Sequence, residues 1–94
     1  MAASGVRRSI LLLVSSMSAG GRSVRLGPRI VRILRSGGWE VAVRLTTPGD
    51  DPAAIAGEVA SGSFVAALGG DGYLGAVARG CHESDAIFVP MPGG

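Results

Sequence analysis

The residues best suited to chemistry in this chain are Gly69-Gly70-Asp71-Gly72, which follow directly on the apolar run Phe64-Val65-Ala66-Ala67-Leu68. A short apolar run bounded by Ser63 and Gly69 predicts a buried strand, and the stretch from Tyr73 to Arg79 predicts a helix. Strand, glycine turn and helix start together aim backbone N–H groups at a phosphate. Glycine also permits positive φ and lets a ligand approach the backbone closely. The loop therefore reads as a nucleotide phosphate site, with Asp71 as its one ionised side chain. The same letters also make a plain turn, because Asp and Gly are residues that turns select. The rest of the chain has to separate the two readings.

A chain of 94 residues makes one small domain. Hydrophobic content is 47% and aromatic content 4%, so the core is built from aliphatic residues. That suits a sheet covered by helices better than a β-sandwich. Charged residues make up 17%, below the ~25% usual for a soluble domain, which points to surface meant to be covered. The net charge of +2 implies nothing strong about nucleic acid, and none is expected as a partner. Every basic residue is arginine, which excludes the lysine-dependent P-loop. One cysteine, Cys81, allows no internal disulfide and gives no argument for secretion. His82 stands beside it, but with no further Cys or His a zinc site within the chain is not expected.

The elements that must position the loop are read in order. Met1 to Val6, or as far as residue 7, is a leader. Arg7-Arg8 before Ile10 to Val14 imitates a signal peptide, but the apolar run is shorter than the roughly 7–15 residues such a segment needs, so Arg8 to Ser15 reads as a first strand. No run approaches the ~20 apolar residues of a membrane span. Ser16 to Arg22 is a small-residue loop, and Ser23 to Arg35 is helical. Val24, Ile30, Val31 and Leu34 are placed on its inner face, and Arg22, Arg25, Arg29 and Arg32 on a solvated one. Gly27-Pro28 either kinks this helix or starts it. Trp39 to Thr46 alternates as a half-buried strand near a sheet edge. Asp51-Pro52 opens a second helix as N-cap and first residue, with Gly62 closing it. Phe64 to Leu68 is the third strand, the third helix ends near Gly80, His82 is a loop residue, and Ala86 to Val89 is the fourth strand.

Three βαβ units predict an α/β fold, with three layers: a Rossmann-like parallel sheet of about four strands and helices on both faces. Ligands in such sheets bind outside the carboxyl ends of the strands. The segments 15–22, 46–47, 69–72 and 90–94 all lie there, and that convergence favours a phosphate site over a turn.

Taken together these segments resemble the start of the diacylglycerol kinase catalytic domain, the family of bacterial lipid kinases and sphingosine kinases, related to NAD kinases and phosphofructokinases. The family motif Gly-Gly-Asp-Gly-Thr is matched by Gly69, Gly70, Asp71, Gly72 and, imperfectly, Tyr73. The first loop, Asn-Pro-x-Ser-Gly-x-Gly, is echoed from Ser15 through Ser16, Met17, Ser18 and Ala19 to Gly21. Thr46 with Gly49-Asp50 echoes the loop after the second strand, and Pro90 to Gly94, with Gly93 among the nucleotide contacts, the loop after the fourth. Gly75 and Ala76 depart from the family's Asn and Glu.

The resemblance implies transfer of the ATP γ-phosphoryl group to a lipid alcohol such as diacylglycerol, with ATP and Mg²⁺ as cofactors. Asp71 is then both the catalytic residue and the metal ligand. It also implies a cytoplasmic protein, peripheral where it meets a membrane. The second domain of the family, carrying the general base and much of the lipid site, falls beyond Gly94. The chain is therefore expected to be the ATP-binding part, inactive alone, with that domain or a second copy covering exposed surface.

Two other readings remain. Gly70-x-Gly72-x-x-Gly75 fits a dinucleotide fingerprint of an NAD(P)-linked oxidoreductase, although an acidic residue about 20 positions on is replaced by Pro90 and Met91. The chain could equally be a degenerate nucleotide-binding module. Tyr73 bears on this: its hydroxyl is too far from its own backbone to cap the helix. Its ring is expected to leave the loop, towards a ligand or the segment from Ser16 to Gly20, and Tyr73→Phe is expected to change little.

Overall fold

The computed structural model describes residues 8–92; the leader and Gly93 lie outside them. Strands β1 (Arg8–Ser15), β2 (Trp39–Thr46), β3 (Phe64–Gly69) and β4 (Ile87–Pro92) pair in parallel in the order β2-β1-β3-β4. Helices α1 (Arg22–Ser36), α2 (Pro52–Gly57) and α3 (Asp71–Ser84) connect them. This is the α/β sheet with helices on both faces that the sequence predicts.

The continuous apolar run of β1 follows from burial on both sides. Ile10, Leu12 and Val14, with Ala66 and Leu68 of β3, pack against Leu26, Ile30, Val31 and Leu34 of α1. Leu13, Val65 and Ala67 face the other way, onto Ala56 of α2 and Val77 and Cys81 of α3.

Several boundaries differ from the sequence reading, each for a local reason. Helix α1 neither starts at Pro28 nor stops there; it runs through it. Val24 is 41% exposed rather than inward. Gly27 faces the sheet beside it, where an added Cβ would lie 3.7 Å from Val14 Cγ2. Helix α2 ends at Gly57, and Gly62, at φ 82°, serves the turn into β3 instead. Helix α3 does not end at Gly80. It continues to Ser84, so His82 is an exposed helical residue, and Asp85 at φ 62° terminates the helix. Gly80 is interior because α2 leaves it no room: a Cβ would lie 2.2 Å from the Ala53 carbonyl oxygen and 2.8 Å from Ala56 Cβ. Strand β4 starts one residue later than expected and runs to Pro92; Pro90 and Pro92 are tolerated on an edge strand, which forgoes ladder hydrogen bonds on one side.

The chain steps outward from β1 to β2, then crosses β1 to place β3 on its far side. The direction of winding reverses between β1 and β3, and the crevice at the carboxyl ends of those two strands is where such sheets bind ligands. No helix among the described residues is long and apolar enough to cross a membrane.

Candidate functional site

Both loops of interest leave the sheet at that crevice. The first leaves β1 through Ser15 and Ser16. Ser16 donates its backbone N–H to the Thr46 carbonyl (3.1 Å), tying the loop to β2. The Ser15 hydroxyl oxygen accepts from Met17 N–H (3.1 Å) and that of Ser18 from Ser23 N–H (2.8 Å). Each hydroxyl thus braces the loop and keeps its own proton to donate. A single 3-10 turn at Ala19–Gly21 leads into α1, with Gly20 at φ 66° and Gly21 at φ 69°. Two successive left-handed residues explain why glycines stand there. Gly21 caps α1 without a side chain to satisfy the first-turn N–H groups.

The second loop is tighter. Gly69 ends β3 and Gly70 caps α3, again with no side-chain cap bond. The first intrahelical bond of α3 runs from Leu74 N–H to the Gly70 carbonyl (2.9 Å). The N–H groups of Asp71, Gly72 and Tyr73 therefore precede the helical ladder and have no partner within it. Such a helix start favours an anion. Because β1 and β3 are adjacent, two uncapped helix starts meet at one crevice, one on each face of the sheet.

Tyr73 joins the loops in a way the sequence reading does not foresee. Its ring lies over Gly69, where an added Cβ would come within 2.7 Å of Tyr73 Cδ2 and 3.1 Å of Ser15 Cβ. Its hydroxyl is 2.8 Å from Thr46 Oγ1. Thr46 is buried and gives its own proton to the Val14 carbonyl (3.3 Å). Its oxygen is therefore left to accept from Tyr73. The ring turns inward across the ends of β1, β2 and β3 instead of out towards Ser16–Gly20. Burial pushes the Tyr73 phenol above its ordinary pKa, against the opposing pull of the Thr46 hydrogen bond.

A cavity of about 420 Å³ opens over this arrangement. It brings together Ser15, Met17, Ser18, Thr46, Gly70, Gly72 and Tyr73 from the predicted set. Ser16, Gly69 and Asp71 do not line it: Gly69 lies beneath the Tyr73 ring, and Asp71 is exposed on the first turn of α3. Ala19 lies in the 3-10 turn, and Gly93 is beyond the described residues.

The cavity adds Thr47, Pro48, Asp50 and Pro52, which stand outside the predicted set. The Gly49-Asp50 echo after β2 is the signal that could have found Asp50. Its carboxylate accepts from Thr47 N–H (2.9 Å) and Thr47 Oγ1 (3.2 Å) and pairs with Arg44 (3.4 Å). The Thr47 N–H, first among these, holds the Asp50 carboxyl below its usual pKa. Ser23 is also new: its hydroxyl is fully buried in the first turn of α1 without a partner. Nothing in the local sequence marks it.

Among the described residues no three His, Cys, Asp or Glu side chains gather to cage a metal. An exposed Asp71 beside a phosphate cradle still fits Mg²⁺, which binds through one or two carboxylates plus phosphates and keeps several waters. Cys81, whose thiol burial pushes upward in pKa, is in the core and remote from this chemistry.

The family model for the diacylglycerol kinase catalytic domain matches residues 9–94. The chain belongs to that family. No curated protein matches it.

Proposed function

We propose that this chain holds ATP for a diacylglycerol kinase-like reaction, in which the γ-phosphoryl group passes to the hydroxyl of a lipid alcohol. The observation that carries the reading is the uncapped start of α3 behind Gly69-Gly70, set at the β1/β3 reversal in a chain of this family. Phosphoryl transfer is mostly positioning and charge neutralisation. The N–H groups of Asp71, Gly72 and Tyr73 bind phosphate oxygens, and the spare protons of Ser15 and Ser18 bind others from the opposite loop. Asp71 is the magnesium ligand, and Gly93 extends the nucleotide contacts beyond β4. Bound Mg²⁺ supplies charge neutralisation on the phosphates. Tyr73, fixed by Thr46, forms the floor.

The dinucleotide alternative has less support. Its glycines follow β3 rather than the first strand, and β4 carries no acidic residue.

Titration calorimetry tests the reading. Asp71→Asn should weaken Mg-ATP more than metal-free ATP, since it removes a hard anionic ligand and keeps the size. Equal effects would reduce Asp71 to a turn residue. Tighter binding of NADH than of ATP would favour the oxidoreductase.

A further inference from the structure

Away from the nucleotide cavity, a larger groove of about 790 Å³ runs between α1 and β2. Its apolar wall is unusual for a parallel sheet, whose faces are normally covered. Val43 and Leu45 of β2 are each 50% exposed, and Val24 of α1 is 41% exposed across from them. Pro28 is exposed beside Val24, and Arg32 and Arg35 form the rim.

The charge on α1 is as one-sided as the apolar content. Five of the nine basic residues of the chain, Arg22, Arg25, Arg29, Arg32 and Arg35, fall on this helix, which has no acidic residue. All five are exposed. Arg25 bonds the Gly20 carbonyl and Arg35 reaches the Val41 carbonyl (3.5 Å), both within the chain. Arg22, Arg29 and Arg32 make no hydrogen bond or ion pair with any described residue.

We propose that this face docks on a bilayer surface bearing anionic lipids. Val24, Pro28, Val43 and Leu45 enter the boundary between headgroups and acyl chains, and the arginines meet lipid phosphates. Arginine suits that boundary, because its apolar stem lies along the hydrocarbon while its charge stays at the headgroups. Clusters of about 4–8 basic residues on an amphipathic helix are the pattern that anionic membranes attract.

Two rival occupants fit less well. Nucleic acid would use the charge but not the aliphatic wall, and the groove has no aromatic ring on which a base could stack. A stable dimer needs about 800 Å² per partner; four half-exposed aliphatic side chains ringed by like charge do not provide such a contact.

Vesicle co-sedimentation of the chain tests this, with phosphatidylcholine vesicles and with vesicles also containing phosphatidylglycerol. Binding is expected only to the second kind, and should fall as salt is raised. The double variant Arg29→Gln, Arg32→Gln should lower partitioning roughly tenfold or more, since each basic residue at an anionic surface contributes about fivefold. Leu45→Ser should lower it independently. Circular dichroism melts of these exposed-site variants check that folding is retained. Equal binding to both vesicles, or unchanged binding by the double variant, would overturn the proposal. So would no vesicle binding together with self-association that Leu45→Ser abolishes, which would make the face a contact between copies. None of these outcomes depends on whether the chain binds ATP.

Discussion

On one face of the sheet α2 and α3 meet so closely that Gly80 has no room for a single carbon; on the other, α1 leaves Val43 and Leu45 half exposed. The two faces draw on the same aliphatic residues of β1 and β3, so hydrophobicity does not separate them. What differs is the helix surface brought against them. Small residues on α2 and α3 allow backbone-to-backbone contact, and Tyr73 extends that packed side up to the phosphate loop. Arginines on α1 keep its outer flank in water. The packed face sets the geometry of the nucleotide cavity, and the open face is left for contact with something else.

The largest effect is expected from Gly80→Ala. A Cβ 2.2 Å from the Ala53 oxygen must push α2 and α3 apart, because the obstacle is backbone. Overpacking typically costs about 1–3 kcal/mol and occasionally more. This site belongs at the upper end, and a denaturant melt reads the loss. A stability within error of the parent would mean that the faces are not packed differently.

Tyr73→Phe comes next. It removes the bond to Thr46, for an expected loss of about 0.5–1.5 kcal/mol. The sequence reading expects little change, and the buried partner is the reason to revise it. The variant also tests pH dependence. A phenol whose folded pKa is raised stabilises the fold fully below its unfolded value, near 10, and loses that contribution as pH rises through the higher folded value. Part of the alkaline destabilisation should therefore vanish in Tyr73→Phe. The Cys81 thiol, raised by burial, contributes a limb of the same sign that the variant retains. Identical alkaline profiles for parent and variant would show that Tyr73 is not held as described.

The smallest effect is expected on the open face. Val43→Ser should change stability by no more than about 0.5 kcal/mol, because half of that side chain already meets solvent. A loss comparable to that of Gly80→Ala would mean that the groove is closed in solution.

The sequence reading succeeds where the cause is local. The limits of β1 and β2 and the Asp51-Pro52 start of α2 all follow from near neighbours: Asp51 accepts from the N–H groups of Ala53 (3.1 Å) and Ala54 (3.2 Å), as an N-cap should. It fails where the cause is distant. Gly80 looks like a helix end because glycine is a weak helix former, yet the reason for it is α2, more than twenty positions earlier. Tyr73 looks unable to find a partner because Thr46 is 27 residues away. Among site residues, glycine loops after strands are legible because backbone conformation demands glycine. Asp50 and Ser23 are not, since their places depend on how β2 and α1 pack beside the crevice.

The most direct test of the central claim is the map of backbone amide shifts when Mg-ATP is titrated into the labelled chain. The account predicts that the largest changes fall in two separate segments, Ser16 to Gly21 and Gly70 to Tyr73, with Thr46 moving through its bond to Tyr73. Saturable changes confined to the groove between α1 and β2, or none in the Gly70 to Tyr73 segment while ATP binds, would contradict it.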